Sequence, residues 1–189
     1  MFLRFAGCNL WNGLERDRAA AVCNFCDTDF VGTNGPGGGK FETPEALAKH
    51  VRSLWDADRI TGAPYVICTG GEPLLQLDVQ LVDALHDAGL EIGVETNGTL
   101  EAPEGLDWIC VSPKADTELK QVSGHELKLV YPQSLAPPGR FEGLDFEHFF
   151  LQPMDSENQA ANIAAATEYC LKNPQWRLSL QTHKLIGLP

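Results

Sequence analysis

The feature that most constrains this chain is the way its apolar segments end. Short apolar runs alternate with amphipathic ones. Almost every run that reads as a strand hands over, at its C-terminal end, to glycine or polar residues. In order these are Gly7-Cys8, Thr69-Gly70-Gly71-Glu72-Pro73, Glu95-Thr96-Asn97-Gly98, Ser112-Pro113-Lys114, Gln152-Pro153-Met154-Asp155 and Gln181-Thr182-His183-Lys184. Loops are polar in general, but ordinary loops do not so regularly set acids, amides and glycines directly at a strand end. In a parallel barrel all of these ends lie on one face, where such folds build their sites. A shared site is the expectation.

Periodicity fills in the elements. Tyr65–Thr69, Glu91–Thr96, Trp108–Ser112, Glu126–Tyr131, Phe149–Gln152 and Arg177–Thr182 read as strands, and Leu3–Phe5 as the stump of another. Thr43-Pro44-Glu45 reads as a helix start, with a capping threonine, a proline in the first turn and an acid at the positive end. Leu47, Val51, Leu54 and Trp55 then form one apolar face at helical spacing. Leu77–Ala88 is a second helix ended by Gly89, and Asn158–Leu171 a third. Ala115–Gly124 and Pro132–Gly143 are too short and polar for full helices. The reading is α/β: an incomplete, TIM-like partial barrel of about six parallel strands with few helices. The 189 residues suit one domain over 1–189. Within it, residues 1–5 are the remnant of the first strand and 7–40 a cysteine-bearing loop.

Fourteen Lys and Arg against 26 Asp and Glu leave a net charge of −12. That balance argues against a nucleic-acid partner, which needs dense Lys and Arg. No apolar run approaches the roughly 18–20 residues of a membrane span, and Met1-Phe2-Leu3-Arg4-Phe5 lacks the pattern of a secretory leader. The chain reads as cytoplasmic.

In a reducing compartment, six cysteines point to metal or catalysis rather than disulfides. Cys68, Cys110 and Cys170 stand alone in apolar stretches, where cysteine packs as a small hydrophobe. Cys8, Cys23 and Cys26 sit instead in a polar loop, with fourteen residues between the first two and two between the last two. A structural zinc site wants a fourth Cys or His, and the loop has no histidine. Three thiolates with an open corner suit a cubane [4Fe-4S] cluster whose fourth iron is free for a ligand. Gly32–Lys40 has the glycine content of a phosphate loop but not its register, and reads as a flexible loop. His50, His86, His125 and His148 have no companion ligands, whereas His183 lies at a strand end.

Cys8, Cys23 and Cys26 followed by Thr69-Gly70-Gly71-Glu72-Pro73 resemble the radical S-adenosylmethionine superfamily, most members of which have three residues between the first two cysteines. With the expanded loop, Arg4-Phe5-Ala6-Gly7-Cys8-Asn9-Leu10-Trp11, Cys26-Asp27-Thr28-Asp29-Phe30, Val94-Glu95-Thr96-Asn97-Gly98, Val111-Ser112-Pro113-Lys114 and Gln181-Thr182-His183-Lys184, the chain resembles the 7-carboxy-7-deazaguanine synthases over essentially its whole length. The resemblance implies a lyase on the route to queuosine in tRNA. Such an enzyme converts 6-carboxy-5,6,7,8-tetrahydropterin to 7-carboxy-7-deazaguanine with loss of ammonia. It uses a [4Fe-4S] cluster, S-adenosylmethionine and Mg²⁺, draws electrons from a donor such as flavodoxin, and forms a homodimer.

By the same resemblance, Cys8, Cys23 and Cys26 match the cluster ligands and Thr28 the Mg²⁺ ligand. Phe25, Asp27, Gly71, Ser112, Pro113, Lys114, Gln152, Pro153, Met154 and Asp155 match adenosylmethionine contacts, joined by Glu95 and Asn97. Arg4, Thr69 and the terminal Pro189 match substrate contacts. Two rival readings stand beside this one: an enzyme of the same superfamily that installs a glycyl radical in another protein, and a non-catalytic zinc-bound interaction module. In the resembled family a strand with a Leu-Gln-Gly-Glu-Gly-like segment precedes the position of Arg4. The expectation is that in-frame codons upstream of Met1 encode it. The division of the cysteines is testable by iron analysis after anaerobic reconstitution. Cys8→Ala, Cys23→Ala and Cys26→Ala should each abolish adenosylmethionine cleavage, while Cys68→Ala keeps its iron; equal loss in Cys68→Ala would contradict the division.

Overall fold

In a computed structural model, residues 1–55 and 61–187 are described. Seven strands form one sheet, paired in chain order and all parallel: β1 (Phe2–Phe5), β2 (Tyr65–Gly70), β3 (Glu91–Thr96), β4 (Trp108–Val111), β5 (Ser123–Tyr131), β6 (Asp145–Pro153) and β7 (Trp176–Leu178). β1 and β7 stand at the two edges, so the barrel is open. Three helices lie between strands: α1 (Pro44–Ser53), α2 (Val79–Asp87) and α3 (Gln159–Lys172). A fourth, α4 (Thr182–Leu185), follows β7. The partial barrel expected from the sequence is thus present, with seven strands where about six were anticipated.

The helix caps form as their residues suggest. Thr43 Oγ1 accepts from the Ala46 N–H at 3.2 Å, and Asp78 Oδ1 from the Leu81 N–H at 2.9 Å. These bonds satisfy donors that the helix itself leaves unpaired. Gly89, just beyond α2, has φ of +76°, the left-handed conformation that closes a helix cheaply only with glycine. Leu54 departs from expectation: α1 ends at Ser53, its helical period stops there, and Leu54 is exposed. At the other end of the chain the sequence suggested a strand over Arg177–Thr182, whereas β7 stops at Leu178 and Thr182 opens α4. Ladder pairing to β6 lasts only through the Ser179 N–H, which donates to Leu151 O at 2.9 Å. Beyond it the Thr182 N–H turns back to Leu180 O.

Two apolar clusters cover the outer face of the sheet. One joins Val66, Cys68, Ile92 and Val94 of β2 and β3 to Val51 of α1 and Leu81, Val82 and Leu85 of α2. The other joins Leu127, Leu129 and Leu151 of β5 and β6 to Ala166 of α3 and Trp176 of β7. Between them β4 and β5 are covered by loop residues, Ala136 and Phe141 among them, rather than by a helix. Cys68 lies in the first cluster, where burial pushes its thiol up to about 12; it is an inert packing residue. His50 donates to Gly37 O at 2.7 Å, His86 pairs with Asp107 at 3.0 Å, and His125 accepts from the Ile109 N–H at 2.9 Å while stacking on Trp108. Each of these has a structural task. Among the described residues no helix is long and apolar enough to cross a membrane.

Leu85 on α2 is fully buried in the first cluster. Leu85→Ala should lose about 2–5 kcal/mol of stability, read as a lower urea midpoint with an unchanged slope. Iron uptake by the folded protein should not change.

Candidate active site

The C-terminal ends of the strands and the cysteine loop enclose a cleft of about 600 Å³. Its lining begins with a tight backbone contact. Gly70 has φ of +116°, and a side chain there would strike the Phe5 backbone. A Cβ on Gly71 would run into the Gly7 carbonyl. Only paired glycines let the end of β2 lie flush against the residue before Cys8. The Gly71 N–H donates to Phe5 O at 3.0 Å, and the Glu72 N–H to Gly7 O at 2.9 Å.

Glu72 itself is completely buried. It accepts from Thr96 Oγ1 at 2.7 Å, from the Asn97 N–H at 2.8 Å and from the Leu74 N–H at 3.0 Å. Burial raises its pKa, and the three donors pull the other way. Asn97 extends the tie: its Nδ2 donates to Asn9 Oδ1 at 3.0 Å, beside Cys8.

Cys8, Cys23 and Cys26 all open into the cleft. The neighbouring Cys23 thiol draws Cys26 down to about 6 despite burial, and the same pairing together with burial pushes Cys23 up. Among the described residues no three Cys, His, Asp or Glu side chains converge tightly enough to hold a single metal ion. Three thiols spread around one cavity, with no histidine among the described residues that line it, fit a larger iron–sulfur cluster with a free corner. The loop that carries them is braced by Arg18. Its Nε bonds both Glu15 carboxylate oxygens at 2.8 and 2.9 Å. One terminal nitrogen donates to Asn24 O at 3.2 Å and Cys26 O at 2.8 Å, and the guanidinium stacks 4.2 Å from the Trp11 ring centroid. Trp11 packs edge-on against Phe30 at 5.6 Å.

Of the other residues singled out from sequence, Arg4, Phe25, Asp27, Thr28, Thr69, Gly71, Glu95, Asn97, Ser112, Lys114 and Gln152 line the same cleft. Pro113 and Pro153 are buried away from it, and Met154 and Asp155 lie outside its lining. Pro189 falls outside the described residues. Lys114 Nζ bonds the carbonyl and hydroxyl of Ser112 at 2.5 and 2.8 Å, and burial lowers its pKa against the opposing pull of Cys23, Glu72 and Cys26. Two lysines were given no role of their own by the sequence, although Lys184 closes the Gln181-Thr182-His183-Lys184 segment singled out there. Lys184, in α4, pairs with Asp27 and Asp155, each at 2.5 Å, and Gln181 also donates to Asp27 at 2.9 Å. Burial opposes ionisation of Asp27, but these donors hold its pKa below the ordinary range. Lys128, on β5, pairs with Glu95 at 2.6 Å. Strand alternation would have put it on the same face as Glu126 and Val130, but no motif marked it.

Residues 18–124 match the Radical SAM superfamily. The chain is 61% identical to the 7-carboxy-7-deazaguanine synthase of Caulobacter vibrioides, over all of this chain and 89% of that protein. It is 54% identical to the protein of the same name from Burkholderia multivorans, with the same coverage, and 38% identical to the one from Bacteroides thetaiotaomicron, over 87% of that protein. The crystal structure of QueE from Escherichia coli shares the fold, with a TM-score of 0.60 at 21% identity over 95% of this chain and 84% of that one. With full-length identity at this level, and a cleft that gathers three thiols at a glycine-rich strand end, the chain belongs to the 7-carboxy-7-deazaguanine synthase family of radical SAM enzymes.

Proposed function

We propose that the chain converts 6-carboxy-5,6,7,8-tetrahydropterin to 7-carboxy-7-deazaguanine with release of ammonia. The observation that carries this reading is the meeting of three thiols, a glycine pair and an Arg4–Thr69–Glu95 polar floor in one cleft. When bound, a [4Fe-4S] cluster and S-adenosylmethionine would supply radical chemistry at the pterin. Cys8, Cys23 and Cys26 would hold the cluster, with the Lys114 ammonium close enough to favour the thiolates of Cys23 and Cys26. The Gly70–Gly71 backbone on the cleft wall would take the methionine end of the cofactor, and Phe25, Ser112, Asn97 and Gln152 offer flat and polar contacts along the adenosyl group. Thr28, a hard oxygen donor on the cleft wall, would take Mg²⁺, with substrate carboxylate and water completing the shell. The Arg4 fork suits the pterin carboxylate. Trp11, Phe30 and Phe2 give the cavity an apolar wall that excludes water from a radical. Residues 7–40 act as the cluster-binding loop of one domain. Electrons come from a donor such as flavodoxin, two copies pair as a homodimer, and the reaction takes place in the cytoplasm.

The test is turnover of carboxytetrahydropterin by the anaerobically reconstituted protein, followed by the ultraviolet absorbance of the deazapurine. About four irons and four sulfides per chain are expected, with product formed only when adenosylmethionine and reductant are both present. A colourless protein carrying one zinc and cleaving no adenosylmethionine would overturn the reading. Arg18 gives a finer test. Arg18→Met should lower the iron retained per chain after desalting, and Arg18→Lys should rescue little, because an ammonium reproduces the charge but not the fork and the ring stack. The melting temperature of the cluster-free protein should move by only a few degrees, because Arg18 lies outside both apolar clusters.

A further inference from the structure

Among the described residues Lys128 is the one ammonium bonded to the Glu95 carboxylate at the floor of the cleft, and nothing in the reading above requires it. The register explains how it reaches. Glu95 of β3 stands opposite Cys110 of β4, which stands opposite Glu126 of β5; Lys128 lies two residues further along β5, on the same face. Glu95 and Lys128 are therefore two strands apart. A residue larger than the buried Cys110 between them would fill the path that the lysine takes. Across that gap Lys128 Nζ meets Glu95 Oε1 at 2.6 Å, while Thr69 Oγ1 donates to Oε2 at 3.3 Å. Each carboxylate oxygen is thus bonded from the floor, and both residues line the cleft. The carboxylate is fixed in orientation, with lone pairs remaining towards the cavity.

We propose that Lys128 is a specificity-determining positioning residue: through Glu95 it presents a charged, oriented carboxylate to the flat guanidine-like edge of a pterin. The inference rests on the substrate reading given above. A carboxylate with lone pairs side by side accepts two parallel N–H bonds, the pattern displayed by a 2-aminopyrimidinone ring. It rejects a ring that lacks the amino group, because one acceptor is then left unpaired. The charged and titratable groups facing Glu95 and Lys128 are Arg4 of β1, Tyr65 of β2, Cys110 of β4, Lys114 in the loop after β4 and Glu126 of β5. Burial works against the Glu95 charge, but Lys128 foremost, then Thr69 and Arg4, keep its pKa below the ordinary carboxylate value. Without Lys128 burial is opposed less, the pKa rises, and the carboxylate begins to protonate as the pH falls towards it.

The experiment compares wild type with Lys128→Met, Lys128→Arg, Glu95→Gln and the Lys128→Met/Glu95→Gln double variant, all reconstituted. Lys128→Met should raise the KM for carboxytetrahydropterin about tenfold to a hundredfold, the size expected for loss of a hydrogen bond to a charged group. Its iron content should match wild type. The acid limb of its kcat/KM profile should move to higher pH, Lys128→Arg should restore most of the affinity, and the double variant should be no weaker than Glu95→Gln alone. A wild-type KM in Lys128→Met, an unmoved acid limb, or multiplying losses in the double variant would overturn the role of Lys128 and leave the reaction standing. So would equal losses in iron and in turnover. A wild-type protein that cleaves adenosylmethionine but leaves the pterin untouched would overturn both.

Discussion

The buried carboxylate of Glu72 is the interaction on which the cleft depends. A lone charge-bearing group with no exposure is costly, and it is tolerated because three donors converge on it: the Thr96 hydroxyl and the Asn97 and Leu74 N–H groups. Two of those donors belong to the end of β3 and one to the turn after β2, so the carboxylate fixes the two strand ends to one another. The Glu72 N–H meanwhile holds the Gly7 carbonyl at 2.9 Å. One residue thus sets the relative positions of the glycine floor, Asn97 and the entry to the cysteine loop. Removal of its acceptor oxygens would leave three donors unpaired around a void.

Charge is distributed against the trend of the whole molecule. The chain carries −12 overall, yet Arg4, Lys114, Lys128 and Lys184 all face the cleft, with Asp27 and Glu95 as its acids. A negative exterior keeps the protein soluble, while a cavity supplied with cations attracts an anionic pterin and the carboxylate of adenosylmethionine. The open sheet matters here too. With β1 and β7 unpaired at its edges, the cavity is wider than the packed interior of a closed barrel. The ion pairs of Lys184 with Asp27 and Asp155 tie the segment after β7 across to the cysteine loop.

Much of this was legible in the sequence. The strand cores, the cap at Thr43, the glycine after α2 and, among the described residues, the lack of α-helices between β3 and β6 follow from local propensity and periodicity, which act over a few residues. So does the division of the cysteines: Cys68 and Cys110 sit in apolar strand cores and are buried there, while Cys8, Cys23 and Cys26 open into the cleft. The misreadings fall where local pattern runs out. Arg177–Thr182 looked like one strand, but only its first residues find a partner edge on β6. Asp27 and Asp155, matched to the cofactor by resemblance, also meet Lys184 across long separations in the chain, a pairing that no local pattern shows.

What the sequence determined by itself was the alternation of elements, the chemistry gathered at the strand ends and the three thiols of the cysteine loop, because each is written within a short window of residues. Tertiary structure decided which of those groups face one another. Lys128 carries no local signature; it becomes a partner of Glu95 only because parallel pairing sets β3, β4 and β5 side by side in register and a small Cys110 leaves the path between them clear. Contacts between strands two apart depend on the register of the whole sheet, and register is a property of the packed fold rather than of any segment within it.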